Sequence, residues 1–106
     1  MPKECRQVDT RLLLERYAIG ERTFNWVNLH EVNLTGAILE RADLSGVNLS
    51  LSVLQNINLS EVKLIGATLW RADLTGAHLI QANLCRAILI RANLNKADLR
   101  QALLIG

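Results

Sequence analysis

The stretch "TGAILERADLSGVNL", residues 35–49, sets Leu39, Leu44 and Leu49 five residues apart. In an α-helix five residues turn the chain by about 500°, so successive leucines would drift by roughly 140° and spread around the whole cylinder. In a regular strand the side chains alternate, and an odd step of five would send every second leucine to the opposite sheet face. A short extended segment followed by a corner, repeated every five residues, aims every Leu at one axis. The chain then coils, and each coil stacks on the one before it.

The same spacing runs on in both directions. Leu holds every fifth position from Leu29 to Leu104, sixteen consecutive times, and Phe24 lies one step earlier in phase. Two residues before each Leu stands Ala in ten units, and otherwise Val27, Val32, Val47, Val62, Ser52 or Ile57. Residues two apart in an extended segment share a face, so this smaller residue points inward beside the Leu. Directly before the Leu, nine units carry Asn or Asp: Asn28, Asn33, Asp43, Asn48, Asn58, Asp73, Asn83, Asn93 and Asp98. These point outward, and their short side chains suit hydrogen bonds to nearby backbone N–H groups that hold a tight bend. Ile38, Val53, Lys63, Thr68, His78, Ile88 and Leu103 replace them elsewhere, which weakens single corners without changing the phase.

Two residues after the Leu, Gly appears at 36, 46, 66, 76 and 106, with Asn56 in the same series. Units therefore alternate with a step of ten, which predicts an even number of sides per coil. A square meets that condition and a triangle does not.

The runs "ADLSG", "ADLTG", "ANLCR" and "ANLNK" resemble the A(D/N)LXX signature of the pentapeptide-repeat family, over about residues 24 to 106. The resemblance implies an all-β solenoid, a right-handed quadrilateral β-helix with four pentapeptides per coil, so that sixteen units make about four coils. Two segments follow: residues 1–23 as tail and capping helix, and residues 24–106 as the β-helix.

The leader "VDTRLLLERYAIGERTF" carries Asp9 or Thr10 as an N-cap, apolar Leu13, Leu14, Tyr17 and Ala18, and Gly20 as a stop. This predicts one amphipathic helix over about residues 10–19, laid across the first coil. A bare solenoid end exposes apolar core and unpaired edges, so a cap is expected there. Short bacterial, cyanobacterial-type members of the family carry a similar helix followed by a "GER" step.

The totals narrow the function classes. The chain has 106 residues, enough for one domain. Half are apolar but only 4% aromatic, so the core is built of aliphatic side chains. Twelve Lys and Arg against ten Asp and Glu give a formal charge of +2, too balanced for a nucleic-acid footprint. Cys5 and Cys85 lie far apart with no C-x-x-C pair, which fits free thiols in a reducing cytoplasm better than a disulfide or zinc site. The opening has no signal-peptide core and no 18 apolar residues run together, so neither export nor a membrane is expected.

No catalytic, cofactor or metal constellation is legible. The glycines mark corners rather than a phosphate loop, and His30 and His78 fall at different phases of the repeat. The chain reads as a non-enzymatic interaction scaffold whose binding partner is another protein. Quinolone-resistance members of the family are thought to imitate duplex DNA and engage DNA gyrase with a long, strongly acidic rod. A topoisomerase modulator of that kind is the alternative, and this chain departs from it in length and charge.

With four sides, residues twenty apart stack in columns. Just after the Leu, one side carries Ser45, Ile65, Cys85 and Ile105, and the next carries His30, Ser50, Trp70 and Ile90. Ile65, Trp70 and Ile90, on adjoining sides, form a candidate apolar patch, which Leu51, Ile80 and Ile88 extend. The last unit, "QALLIG", stays in repeat phase, so Leu103, Leu104 and Ile105 are expected at the contact of an end-to-end homodimer.

Overall fold

A computed structural model describes residues 10–25 and 27–106. Every inter-coil bridge among them joins a residue to the one twenty further on, in parallel: Thr23 with Asp43, Asn28 with Asn48, Asn33 with Val53, Ile38 with Asn58, and so on to Asn83 with Leu103. A repeat of five and a register of twenty make each coil four-sided. The first coil is built on Phe24, Leu29, Leu34 and Leu39, the second on Leu44 to Leu59, the third on Leu64 to Leu79 and the fourth on Leu84 to Leu99. Each side is so short that it contributes one bridging residue per coil, the residue just before the Leu.

The unit at residues 72–76 shows how the backbone is satisfied. The Ala72 N–H closes a turn onto the Leu69 carbonyl at 3.0 Å, and the Asp73 N–H reaches down to Ser52 at 2.9 Å. The N–H groups of Leu74 and Gly76 reach up to Asn93 at 2.7 Å and Asn95 at 2.9 Å. The fifth, on Thr75, donates to the Asp73 carboxylate at 3.1 Å. All five N–H groups thus have partners, as buried backbone requires.

The expected corner braces form at all nine Asn and Asp positions, for instance Asn28 to the His30 N–H at 3.1 Å and Asn93 to the Asn95 N–H at 3.0 Å. The glycine alternation, in contrast, is one of residue type and not of geometry. Corner positions from Glu31 to Gly106 share a φ of about +60° to +90°, whether Gly or Glu31, Arg41, Leu51, Arg71 or Gln101. With the bond from the third residue after the Leu back to it, these are type II turns, whose third position favours Gly. A side chain there costs about 1–2 kcal/mol, which the ladder bond of the same residue, such as Arg71 N–H to Ile90 at 3.0 Å, offsets.

The core is the leucine stack. Leu29 through Leu84 are buried, as are the alanines and valines beside them except the half-buried Ala37, each Leu contributing about 1.5–3 kcal/mol. In the fourth coil Leu89, Leu94 and Leu99 are only half-buried, and Leu104 above it is exposed.

Helix α1 spans Thr10–Ala18. The N-cap expectation at Asp9 lies outside the described residues. Gly20 ends the helix as expected: its φ is +104°, its N–H bonds Tyr17 at 3.0 Å, and the Glu21 N–H bonds Arg16 at 3.1 Å, the two bonds of a Schellman motif. The inward face is narrower than its pattern suggested. Leu13 is buried in the core and Tyr17 half-buried against it, whereas Leu14 and Ala18 face outward. Anchoring comes instead from the Tyr17 hydroxyl, which donates to the Glu40 carbonyl at 3.0 Å, and from Arg22, stacked on the Tyr17 ring at 3.7 Å.

Candidate interaction surface

The turn from Leu64 to Ala67 and the turn from Leu69 to Ala72 bound one side of the third coil. Ile65 and Gly66 form one corner, Thr68 is the outward residue between, and Trp70 and Arg71 form the next corner. One coil up, the corresponding residues are Cys85 and Arg86, Ile88, and Ile90 and Arg91. The ladder fixes the columns: Gly66 N–H bonds the Cys85 carbonyl at 2.9 Å, Arg71 N–H bonds Ile90 at 3.0 Å, and Arg86 N–H bonds Ile105 at 3.1 Å. Thr68 bridges Ile88.

Ile65, Trp70 and Ile90 therefore border one and the same side, not adjoining ones as the sequence suggested, because each residue after a Leu sits at a corner, with Ile88 between the corners. Ile65 and Trp70 are each 38% exposed, Ile88 44% and Ile90 61%. Leu51, one coil below Arg71, extends the patch; Ile80 belongs to a different side and is only partly exposed. Lower on the same side stand Asn48 and Ser50 and then Asn28 and His30, so the surface passes from polar to apolar along the rod. Towards its upper end come Ile105 at 72% exposed, with Leu103 at 48% on the preceding side and Leu104 at 55% on the open coil.

Charge is uneven as well. Arg71 and Arg91 stack along one flank of this side and Arg86 lies on the other. In coils two to four the side carries no carboxylate at either corner or between them. Arg71 leans over the Trp70 ring, 5.0 Å from its centre. Two arginines on other sides are paired: Arg41 lies 3.6 Å from Glu61, and Arg100 lies 2.7 Å from Asp98, whose carboxyl it holds below its ordinary value. The arginines were visible in the sequence, but only the twenty-residue register places these three around the isoleucines.

Nothing in the arrangement concentrates reactive groups. The described residues contain no cluster of three metal-ligating side chains. An open depression lined by Ile80, Arg100 and Gln101 holds no nucleophile. No helix among the described residues is long and apolar enough to cross a membrane.

Comparison with known proteins agrees with this geometry. The family model for pentapeptide repeats matches residues 24–59, 46–79 and 71–104. A crystallographic pentapeptide repeat protein of Nostoc is 36% identical, with 82% of this chain and 72% of that chain covered and a TM-score of 0.51. HetL, a Nostoc pentapeptide repeat protein involved in heterocyst differentiation regulation, is 38% identical over 92% of this chain, with a TM-score of 0.41. A thylakoid-lumen pentapeptide repeat protein of Arabidopsis thaliana is 30% identical over 74% of this chain, with a TM-score of 0.47. The chain spans 46% of HetL and 57% of the Arabidopsis protein. Among curated proteins no match is found. With an unbroken five-residue repeat, a twenty-residue register and a family match along nearly all of the repeat, the chain belongs to the pentapeptide repeat family and is a right-handed β-helix solenoid.

Proposed function

We propose that the chain is a non-enzymatic scaffold that holds another protein against the side bordered by Ile65, Trp70 and Ile90. The observation that supports this most is the change of character along that one side at equivalent outward positions, from Asn28, Asn48 and Thr68 to Ile88 in one column and from His30 and Ser50 to Trp70 and Ile90 in the next. Tryptophan and arginine next to half-exposed isoleucines are the composition of a protein contact rather than of a solvated face. Imitation of duplex DNA finds no support, because the formal charge is +2 and the patch is flanked by arginines. The free thiol of Cys85 suits a reducing compartment, in keeping with a cytoplasmic protein.

The test is capture of a partner from the native host, using the wild-type chain and a Trp70→Asp, Ile90→Asp double variant of equal thermal midpoint. A protein that the wild type retains, the variant loses, and that binds again when purified, supports the reading. Equal retention by both forms removes this side as the contact.

A second contact is proposed at the fourth coil, where Leu103, Leu104 and Ile105 are exposed together. This edge offers two N–H groups per unit, at the Leu and the corner residue, for each carbonyl. A two-fold pairing of two copies leaves donors in excess and draws mainly on leucine contact for its energy. Light scattering at tens of micromolar gives twice the monomer mass if this pairing forms and the monomer mass if it does not.

A further inference from the structure

The partner's chemistry can be taken further, on the reading that the side bordered by Ile65, Trp70 and Ile90 is a protein-binding surface. We propose that it receives an acidic amphipathic helix lying parallel to the rod axis. Its apolar stripe covers Ile65, Trp70, Ile88 and Ile90, and its carboxylates face Arg71 and Arg91 on one flank and Arg86 on the other.

Spacing, charge and relief support this occupant. Outward residues of successive coils repeat about every 4.8 Å along the rod, close to the ~5.4 Å pitch of an α-helix, so one helical turn meets each coil. Arg71, Arg86 and Arg91 have no carboxylate partner among the described residues, and no acid stands on this side in coils two to four. Three exposed arginines around an apolar strip leave positive charge that a partner's carboxylates would complement, and opposite charge on the flanks fixes register and raises the rate of encounter. The relief is low over most of the side: Ile65 and Trp70 are each 38% exposed and Ile88 44%, with Ile90 standing higher at 61%, which suits a seat for another element better than the protruding wedge that membrane insertion uses. A nucleic acid would match the arginines but leave three isoleucines against a polyanion, with Trp70 alone to stack on a base.

The probes are two labelled synthetic helices of about 18 residues, with the same leucine stripe and either Glu or Lys on both flanks. Fluorescence anisotropy with the full chain is expected to show the Glu peptide binding at least about tenfold more tightly at low salt, with the advantage shrinking as salt rises. Arg86→Glu with Arg91→Glu is expected to reverse the preference, and Trp70→Asp with Ile90→Asp to abolish binding of both peptides. Equal binding of the two peptides, lost in the Trp70 and Ile90 variant, overturns the acidic preference but leaves a protein-binding side. No binding of either at about 100 μM overturns the helix proposal, while partner capture still decides the broader reading. Binding of a single-stranded oligonucleotide or of phosphatidylglycerol vesicles in place of the peptides overturns it in favour of those ligands.

Discussion

The Ser52 hydroxyl donates to the carbonyl of Leu29, one coil below, at 2.6 Å. It also accepts the N–H of Val32 at 3.3 Å, so one oxygen takes the place of the direct turn bond that neighbouring corners make. Ser52 is the one Ser at the inward small position, and it is buried. In Ser52→Ala the turn can contract to the usual bond, as it does at Ala37 and Ala42, so denaturant unfolding is expected to show a loss of about 1 kcal/mol or less. A loss above about 3 kcal/mol would mean that the turn stays open with both backbone groups orphaned.

The leucine stack predicts a gradient along the rod. Leu64→Ala and Leu74→Ala, both mid-rod and buried, are expected to cost about 2–5 kcal/mol each through lost burial and the cavity left behind. In the monomer, at a concentration too low for two copies to pair, Leu104→Ala, 55% exposed, is expected to cost under about 1 kcal/mol. Equal costs at the two places, measured by chemical denaturation, would contradict a core that closes in the middle coils and opens at the fourth.

Corner glycines are expected to differ according to what surrounds them. At Gly36, φ is +73° and a Cβ would meet open space, so Gly36→Ala costs only the left-handed backbone, about 1–2 kcal/mol. At Gly76 the added Cβ runs into the side-chain amide of Asn56, one coil below in the same column. Gly76→Ala should therefore lower the thermal midpoint more than Gly36→Ala. The reverse order would mean that Asn56 is free to swing away.

Acid is expected to loosen the brace at Asp73. The Thr75 hydroxyl, then the Gln55 amide and the Thr75 N–H, hold its carboxyl below the ordinary value, against a small opposing effect of burial. The unfolded chain takes up this proton near pH 4 and the folded chain only at lower pH, so between the two values the unfolded state binds more protons. The contribution is complete above about pH 4 and is lost as pH falls through the lowered folded value. Asp73→Asn keeps an oxygen for the Thr75 N–H but does not titrate, so its thermal midpoint should fall less steeply below pH 4. Identical acid slopes for both forms would remove Asp73 as a source.

Much of the fold was legible because a peg every fifth residue leaves few geometries that bury it. The braces were legible too, since Asn and Asp one residue before the Leu are in reach of the next N–H but one. The uniform left-handed corners were hidden by Arg71, Leu51 and Gln81, residues that do not advertise a positive φ; the ladder bond on each, to Ile90, Trp70 and Arg100, holds the corner in place. Leu14 and Ala18 were misplaced because helical periodicity suggests a broad inward face, whereas the coil end seats one leucine, and Tyr17 is held by its hydroxyl. The Ser52 bridge to Leu29 depends on stacking of residues twenty-three apart, which no local pattern reveals.

The stacking of residues twenty apart is the claim on which the core, the columns and the apolar side all depend. Methyl-resolved nuclear Overhauser spectroscopy on leucine- and isoleucine-labelled protein reads it directly. The account predicts contacts from Leu44 to Leu64, from Leu64 to Leu84, and from the Trp70 ring to Ile90. Contacts at a spacing of fifteen or twenty-five, with none at twenty, would contradict it.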